Sequence, residues 1–213
     1  MIGDFRDLVF GFRLAGYIAH PSSESSKFVV GFIEMGCYDI DGGDFSGCTP
    51  LGWASHNGHE EVVKILLGWK EVYPDKPDNS GKTPLSHATL TGHEGVVKIL
   101  LEREEANPGK PDYWGRTPLS YAAGSGHEGV MKILLEQEEV DPDQPSDYGQ
   151  TPLSYAAESG HEEVVKILLE RKEVNPDKPS ISGLTPLSLA TKNGHERVVA
   201  LLHSRKAAVP NTI

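Results

Sequence analysis

Thr151-Pro152-Leu153-Ser154-Tyr155-Ala156-Ala157-Glu158-Ser159-Gly160-His161-Glu162-Glu163-Val164-Val165-Lys166-Ile167-Leu168-Leu169 carries the signals of two short helices and the turn between them. Thr151 is suited to N-cap a helix, its hydroxyl accepting a bond from a free backbone N–H. Pro152 follows at the first helical position, where no N–H is needed and φ is already helical. Gly160 ends that helix, because glycine readily takes the left-handed conformation that stops one. A second helix then starts near His161 or Glu162, with Val164, Val165, Ile167, Leu168 and Leu169 as one broad apolar stripe.

The same stretch recurs. Thr-Pro-Leu stands at Thr49, Thr83, Thr117, Thr151 and Thr185, each 34 residues from the last, and Gly-His-Glu keeps phase from Gly58, Gly92, Gly126, Gly160 and Gly194. Five in-phase copies define a repeat array. Glu60–Lys64, Glu94–Lys98, Glu128–Lys132 and Glu162–Lys166 are spaced as i,i+4 ion pairs, each worth ~0.3 kcal/mol. Neither helix is long enough to stand alone in water, so stability must come from stacking each unit on the next. Between units, Pro74/Pro77, Pro108/Pro111, Pro142/Pro145 and Pro176/Pro179 stiffen an extended loop. Gly81, Gly115, Gly149 and Gly183 then turn the chain back toward the next Thr-Pro.

Thr-Pro-Leu-x-x-Ala followed by Gly-His-x-x-Val-Val-x-x-Leu-Leu resembles the ankyrin repeat. The 34-residue period and the Asn-Pro-Asp-Lys-Pro loop are most similar to ankyrin arrays of fungal proteins, many of which sit behind a nucleotide-binding signalling domain. The resemblance implies an all-α solenoid of about five full repeats, each a helix-turn-helix plus a projecting finger loop. It also implies a non-enzymatic protein-binding scaffold, or alternatively a sensor or regulatory fragment related to those signalling arrays. The sequence departs from the family pattern where Ser86, Ser120, Ser154 and Ser188, with Gly52, replace the usual His. It departs again in its missing Gly-Ala after the second helix and its longer, proline-bearing finger.

The expected layout is a degenerate N-terminal capping repeat over residues 1–40, five repeats over 41–206 and a tail over 207–213. The cap rests on Phe28-Val29-Val30-Gly31-Phe32-Ile33-Glu34, which matches the second-helix pattern one period before Val62, and places two helices over residues ~5–36; the rival reading is a helix that docks on something else through the apolar stripe of Phe5, Leu8, Val9 and Phe12.

The 38% hydrophobic share of the 213 residues is low for a single central core but suits a stack that buries only shared faces. A net charge of −11 speaks against nucleic acid and anionic membranes as partners. Two cysteines, Cys37 and Cys48, are too few for a disulfide framework. No apolar run approaches the ~20 residues that span a bilayer, and charged residues interrupt the N-terminal apolar ones. The chain is therefore expected to be soluble, intracellular and cytoplasmic, and a monomer.

No catalytic constellation, cofactor motif or metal site is legible. The recurring His59, His93, His127, His161 and His195 should lie roughly 8–10 Å apart on stacked units, too far to share a zinc ion that needs ligands within about 2.1 Å. They read instead as polar residues bonding backbone at the tight turn. The metalloprotease pattern fails because its second His is replaced by Val63, Val97, Met131, Val165 and Val199.

Copies differ most where packing constrains them least, which points to a binding surface. Around the finger glycines the variable residues are Phe45, Asn79, Lys82, Tyr113, Trp114, Arg116, Tyr148, Gln150 and Ile181; on the first helices, Leu90 and Glu158 stand out. Aromatic residues and Arg dominate binding hot spots, and in ankyrin proteins these positions commonly contact partners. A competing role for the aromatics is packing finger against finger. Trp53, His87, Tyr121, Tyr155 and Leu189 also vary and read as mixed packing and binding.

Overall fold

The computed structural model describes residues 39–208. The chain divides into two compact units, residues 1–113 and 114–213. Among the described residues there are ten helices and no strand, an all-α repeat solenoid. The N-terminal unit holds α1 (Pro50–His56), α2 (Glu60–Leu67), α3 (Pro84–Thr91) and α4 (Glu94–Leu101). The C-terminal unit holds α5 (Pro118–Ser125), α6 (Glu128–Leu134), α7 (Pro152–Ser159), α8 (Glu162–Leu169), α9 (Pro186–Lys192) and α10 (Glu196–Ala208). The cap expected over residues ~5–36 lies outside the described residues. The last helix, α10, runs through Ala208.

Odd-numbered helices begin on their threonines. Thr49 Oγ1 accepts from the Gly52 amide at 3.1 Å, and Thr83, Thr117, Thr151 and Thr185 accept from the serine amide three residues on, each at 3.2 Å. Any residue offers that amide, as Gly52 shows, so the cap itself does not depend on the serines that stand where the family often has His. Ser86, Ser120 and Ser154 also hold the threonine hydroxyl at 3.1–3.2 Å, so cap and capped residue are bonded twice. Replacing Thr117 with Ala should cost about 1 kcal/mol. A urea midpoint unchanged from wild type would remove Thr117 from that role.

Each odd helix packs on the even helix that follows it, and within each unit odd packs on odd and even on even. Leu51, Ala54, Leu85 and Ala88 in the first unit, and Leu119, Ala122, Leu153 and Ala156 in the second, are sealed between neighbours. The apolar stripe of α8 buries Val164, Val165, Leu168 and Leu169 while Lys166 faces water. A buried leucine or valine contributes about 1.5–3 kcal/mol, far above the propensity of a two-turn helix.

The i,i+4 ion pairs do not form. Lys64 pairs with Glu61 at 3.1 Å and Lys166 with Glu163, both three residues back. Glu162 is drawn instead to Arg197 of the next helix pair at 3.3 Å. Glu60 likewise reaches over Gly95, where a Cβ would collide with its carboxylate. Lys98 and Lys132 have Gly95 and Gly129 three residues back and form no ion pair among the described residues.

Within each unit, a helix pair is tied to the one before it by donors that find main-chain oxygens. His93 Nε2 lies 3.1 Å from the His56 carbonyl, His161 Nε2 3.0 Å from that of Gly124, and His195 Nε2 2.9 Å from that of Glu158. The histidines therefore bond backbone as expected, but in the preceding helix pair rather than in their own turn. Arg103 reaches the Leu67 carbonyl at 3.3 Å and Arg171 that of Leu135 at 2.7 Å, capping spent helix ends. Lys76, Lys110 and Lys178 bond the carbonyls of Asp41, Asp75 and Asp143 at 2.6–2.9 Å and pair with the same aspartates' carboxylates.

Candidate partner-binding surface

Each finger is a tight turn closed on a residue at its root. In the N-terminal unit, Asp44 Oδ1 accepts from the Ser46 amide, the Ser46 hydroxyl and the Cys48 amide at 2.6–3.1 Å. Asp78 Oδ1 does the same for Ser80 and Lys82 at 2.6–3.0 Å. This is the local bonding that aspartate offers a turn. Burial pushes both carboxyls up, but the bonds they accept outweigh it and hold each below the ordinary carboxylate value. In the C-terminal unit serines take the place: Ser180 Oγ accepts from the Leu184 amide at 3.2 Å.

The root is in turn held by the first helix. Trp53 Nε1 donates to Asp44 Oδ2 at 2.9 Å, His87 Nε2 sits 3.1 Å from Asp78 Oδ2, and Tyr155 donates to Ser146 Oγ at 3.1 Å. The sequence reading of these positions as mixed packing and binding missed this task. No covariation marks it, since Asp44, Asp78 and Asp112 stand nine residues before Trp53, His87 and Tyr121 alike, and Tyr155 follows Ser146.

Backbone bonds run from finger to finger. Asn79 N donates to the Ser46 carbonyl at 2.8 Å and Tyr113 N to that of Ser80 at 3.1 Å in the first unit. In the second, Asp147 N bonds the Trp114 carbonyl and Ile181 N that of Tyr148, both at 2.9 Å. The main chain fixes the spacing, and the tip side chains project from it. Phe45 and Tyr113 are each 66% exposed, Tyr148 58%, Ile181 79% and Trp114 39%. Asn79 is exposed too, and donates through its side chain to the Phe45 carbonyl at 3.0 Å.

The other residues singled out in the sequence are half-buried: Lys82, Leu90, Arg116, Gln150 and Glu158. Arg116 lies 5.0 Å from the ring centroids of Trp114 and of Tyr121, a cation–π arrangement that orients the Trp114 side chain. Gln150 Nε2 donates to Glu158 Oε2 at 3.0 Å, which joins finger to first helix. Lys82 and Leu90 stand in the N-terminal unit and Glu158 in the C-terminal one.

Cys48 is not poised as a nucleophile. Burial, with Asp44 and Asp78 nearby, pushes the Cys48 thiol up to about 12, so it packs as a small apolar residue. Among the described residues no group of three or more His, Cys, Asp or Glu could hold a metal ion. No described helix is long and apolar enough to cross a membrane.

Helix pairs bonded through their turns and fingers define a helical repeat protein. A family model for ankyrin repeats, three copies long, matches residues 19–112, 104–180 and 138–212. The chain belongs to the ankyrin-repeat family, whose repeats generally mediate protein–protein interaction and are typically non-enzymatic. Comparison with curated proteins finds no match.

Proposed function

We propose that this chain is a non-enzymatic scaffold that binds a protein partner through its finger tips and the adjoining first-helix surface. The observation that carries the reading is the division of labour in the fingers. Their backbone and root residues are fully engaged in holding the turn, whereas Phe45, Tyr113, Tyr148 and Ile181 stand in solvent. A large apolar side chain exposed to this degree is a natural anchor for a partner. Half-buried Lys82, Arg116, Gln150 and Glu158 would add polar selectivity beside those anchors.

The experiment compares wild type with a variant in which Phe45, Tyr113, Tyr148 and Ile181 become Ala, both used as bait in source-cell lysate. Helicity and unfolding midpoint should match within about 0.5 kcal/mol, as for surface substitutions. A prey held by wild type should be lost by the variant. Equal capture of the same prey by both would remove the tips from the binding surface.

A further inference from the structure

Two asparagines stand directly before the glycines that turn the chain between paired helices, Asn57-Gly58 after α1 and Asn193-Gly194 after α9. The other three copies place Thr91, Ser125 and Ser159 there. In those three the glycine amide closes the helix on the alanine four residues back. Gly92 N donates to the Ala88 carbonyl at 2.9 Å, and Gly126 and Gly160 donate to those of Ala122 and Ala156. In the asparagine copies the helix ends one residue sooner. Gly58 N reaches the Ser55 carbonyl at 3.4 Å and Gly194 N that of Thr191 at 3.2 Å, both long for a hydrogen bond.

A loosely held glycine amide beside an asparagine carboxamide is a reactive pair. No side chain shields the nitrogen, which can close on the asparagine Cγ to form a five-membered imide. The resting turn keeps the two atoms apart, with Asn57 at φ −95°, ψ 0° and Asn193 at φ −93°, ψ 0°. Each turn must therefore open before the ring can close, and opening is where they differ. The next helix pair covers Gly58: a Cβ there would stand 2.6 Å from His93 Nδ1, and His93 Nε2 lies 3.1 Å from the His56 carbonyl. Asn57 itself is half-buried and donates to the Trp53 carbonyl at 2.8 Å.

Asn193 and Gly194 are both exposed, and no described residue comes within 4 Å of the place a Gly194 Cβ would take. The 2.8 Å bond from Asn193 Nδ2 to the Glu158 carbonyl lies at the surface, where water competes for it. The other described asparagines lack the reactive partner. Asn107 and Asn175 precede prolines, which have no N–H, and the Ser80 amide after Asn79 is held by Asp78 Oδ1 at 2.8 Å.

We propose that Asn193 is a modification site, converting to aspartyl and isoaspartyl residues in the folded protein, and that the conversion unfastens α9 and α10 from α7. Hydroxide removes the Gly194 amide proton, and the nitrogen attacks Asn193 Cγ. The Cγ–Nδ2 bond breaks, and Nδ2 leaves as ammonia after taking a proton from water, which regenerates the hydroxide. Water then opens the imide. Cleavage between Cγ and the nitrogen gives aspartate; cleavage at the main-chain carbonyl carbon routes the chain through Cγ and adds one carbon to the backbone. Either product lacks the Nδ2 donor and carries a new negative charge. The isoaspartyl product also displaces His195, whose Nε2 lies 2.9 Å from the same Glu158 carbonyl.

The test keeps the whole chain for several weeks in warm, mildly alkaline buffer, native and in guanidinium chloride. Digestion after glutamate places Asn57 in the fragment 35–60 and Asn193 in 174–196. Conversion is read as paired aspartyl and isoaspartyl peaks, heavier by the exchange of NH2 for OH. In the native protein Asn193 should convert at least about tenfold faster than Asn57, because the covered turn opens more rarely. In guanidinium chloride the two should convert at similar rates. Hydrogen exchange in the aged native protein should quicken in α9 and α10 while α5 and α6 keep their protection. Asn193→Ser, which installs the residue α7 carries as Ser159, should hold its protection through the same incubation. Native Asn193 that stays intact while the denatured chain converts, or native Asn57 that converts as fast, would overturn the assignment of the site. Unchanged exchange in the converted protein would overturn the unfastening.

Discussion

Gly160→Ala should lower the stability of the protein by about 2–4 kcal/mol, more than any surface substitution in the C-terminal unit. Two costs coincide there. Gly160 ends α7 at φ 80°, where an L side chain is strained by about 1–2 kcal/mol. An added Cβ would also stand 2.5 Å from His195 Nδ1, and the ring cannot retreat without leaving the Glu158 carbonyl. Such overpacking costs typically about 1–3 kcal/mol. Two other glycines separate these contributions. Gly194 has φ 75° but open space around the added Cβ, so Gly194→Ala should carry the strain alone. Gly124 lies inside α5 with Tyr155 Cβ at an ordinary 3.5 Å, so Gly124→Ala should stabilise by about 0.5–1 kcal/mol. Denaturant midpoints should therefore rank Gly124→Ala, wild type, Gly194→Ala, Gly160→Ala. A Gly160→Ala effect no larger than that of Gly194→Ala would show that the histidine does not press on the turn.

Asp78→Ala should be comparably damaging, at about 3 kcal/mol, because one carboxylate closes a finger and holds it to α3. Its loss strands the Ser80 and Lys82 amides and the His87 ring, and bonds to a charged group are worth about 1.5–3 kcal/mol each. Asp78→Asn, which keeps an acceptor, should recover a good part of the loss.

The same cluster makes stability depend on pH. Burial lowers the pKa of His87 and of His56, with Asp78 opposing at His87, so the folded state prefers both rings neutral. Their contribution is complete above the ordinary value of 6.5 and falls as pH drops below it, since the unfolded chain takes up protons first. Asp44 and Asp78, held below the ordinary carboxylate value, lose their contribution only at lower pH. Asp41 and Asp75, raised by burial despite their lysine partners, act with the opposite sign and gain stability on protonation. The first loss on acidification should thus come from the histidines. His87→Tyr, which places at α3 the residue α7 carries at Tyr155, should flatten the midpoint-versus-pH curve between about pH 7 and 5.5. An unflattened curve would assign that limb to other groups.

The helices were legible because their signals are local. Thr-Pro at the start, Gly at the turn and a period near 3.6 in Val164, Val165, Leu168 and Leu169 each act within one turn of helix, and phase across copies removed ambiguity. Exposure of the finger aromatics was legible for the same reason, as loop residues with no periodic partner. What stayed hidden depends on where one copy lies against another. The histidines' acceptors are 37 residues away and the lysine staples' 35, and both are carbonyls, which leave no mark in a sequence. The bond from Trp53 to Asp44 spans nine residues, neither a helical nor a strand interval, and only the folded finger brings them together. Ion pairs were misread because spacing on an isolated helix ignores the neighbour that takes Glu162.

The direction of the ties between helix pairs bears on how such a chain changes in length. His93, His161 and His195, Arg103 and Arg171, the three lysines and the finger amides all donate from the later copy, and all find carbonyls in the earlier one. The acceptors belong to residues as different as His56, Gly124 and Glu158, because every residue owns a carbonyl. A duplicated segment of 34 residues arrives with its donors in place and meets a neighbour that needs no adaptation to receive them. Recombination can thus add or delete whole units without a compensating mutation at the new junction, while each inherited copy remains free to diverge at its tips.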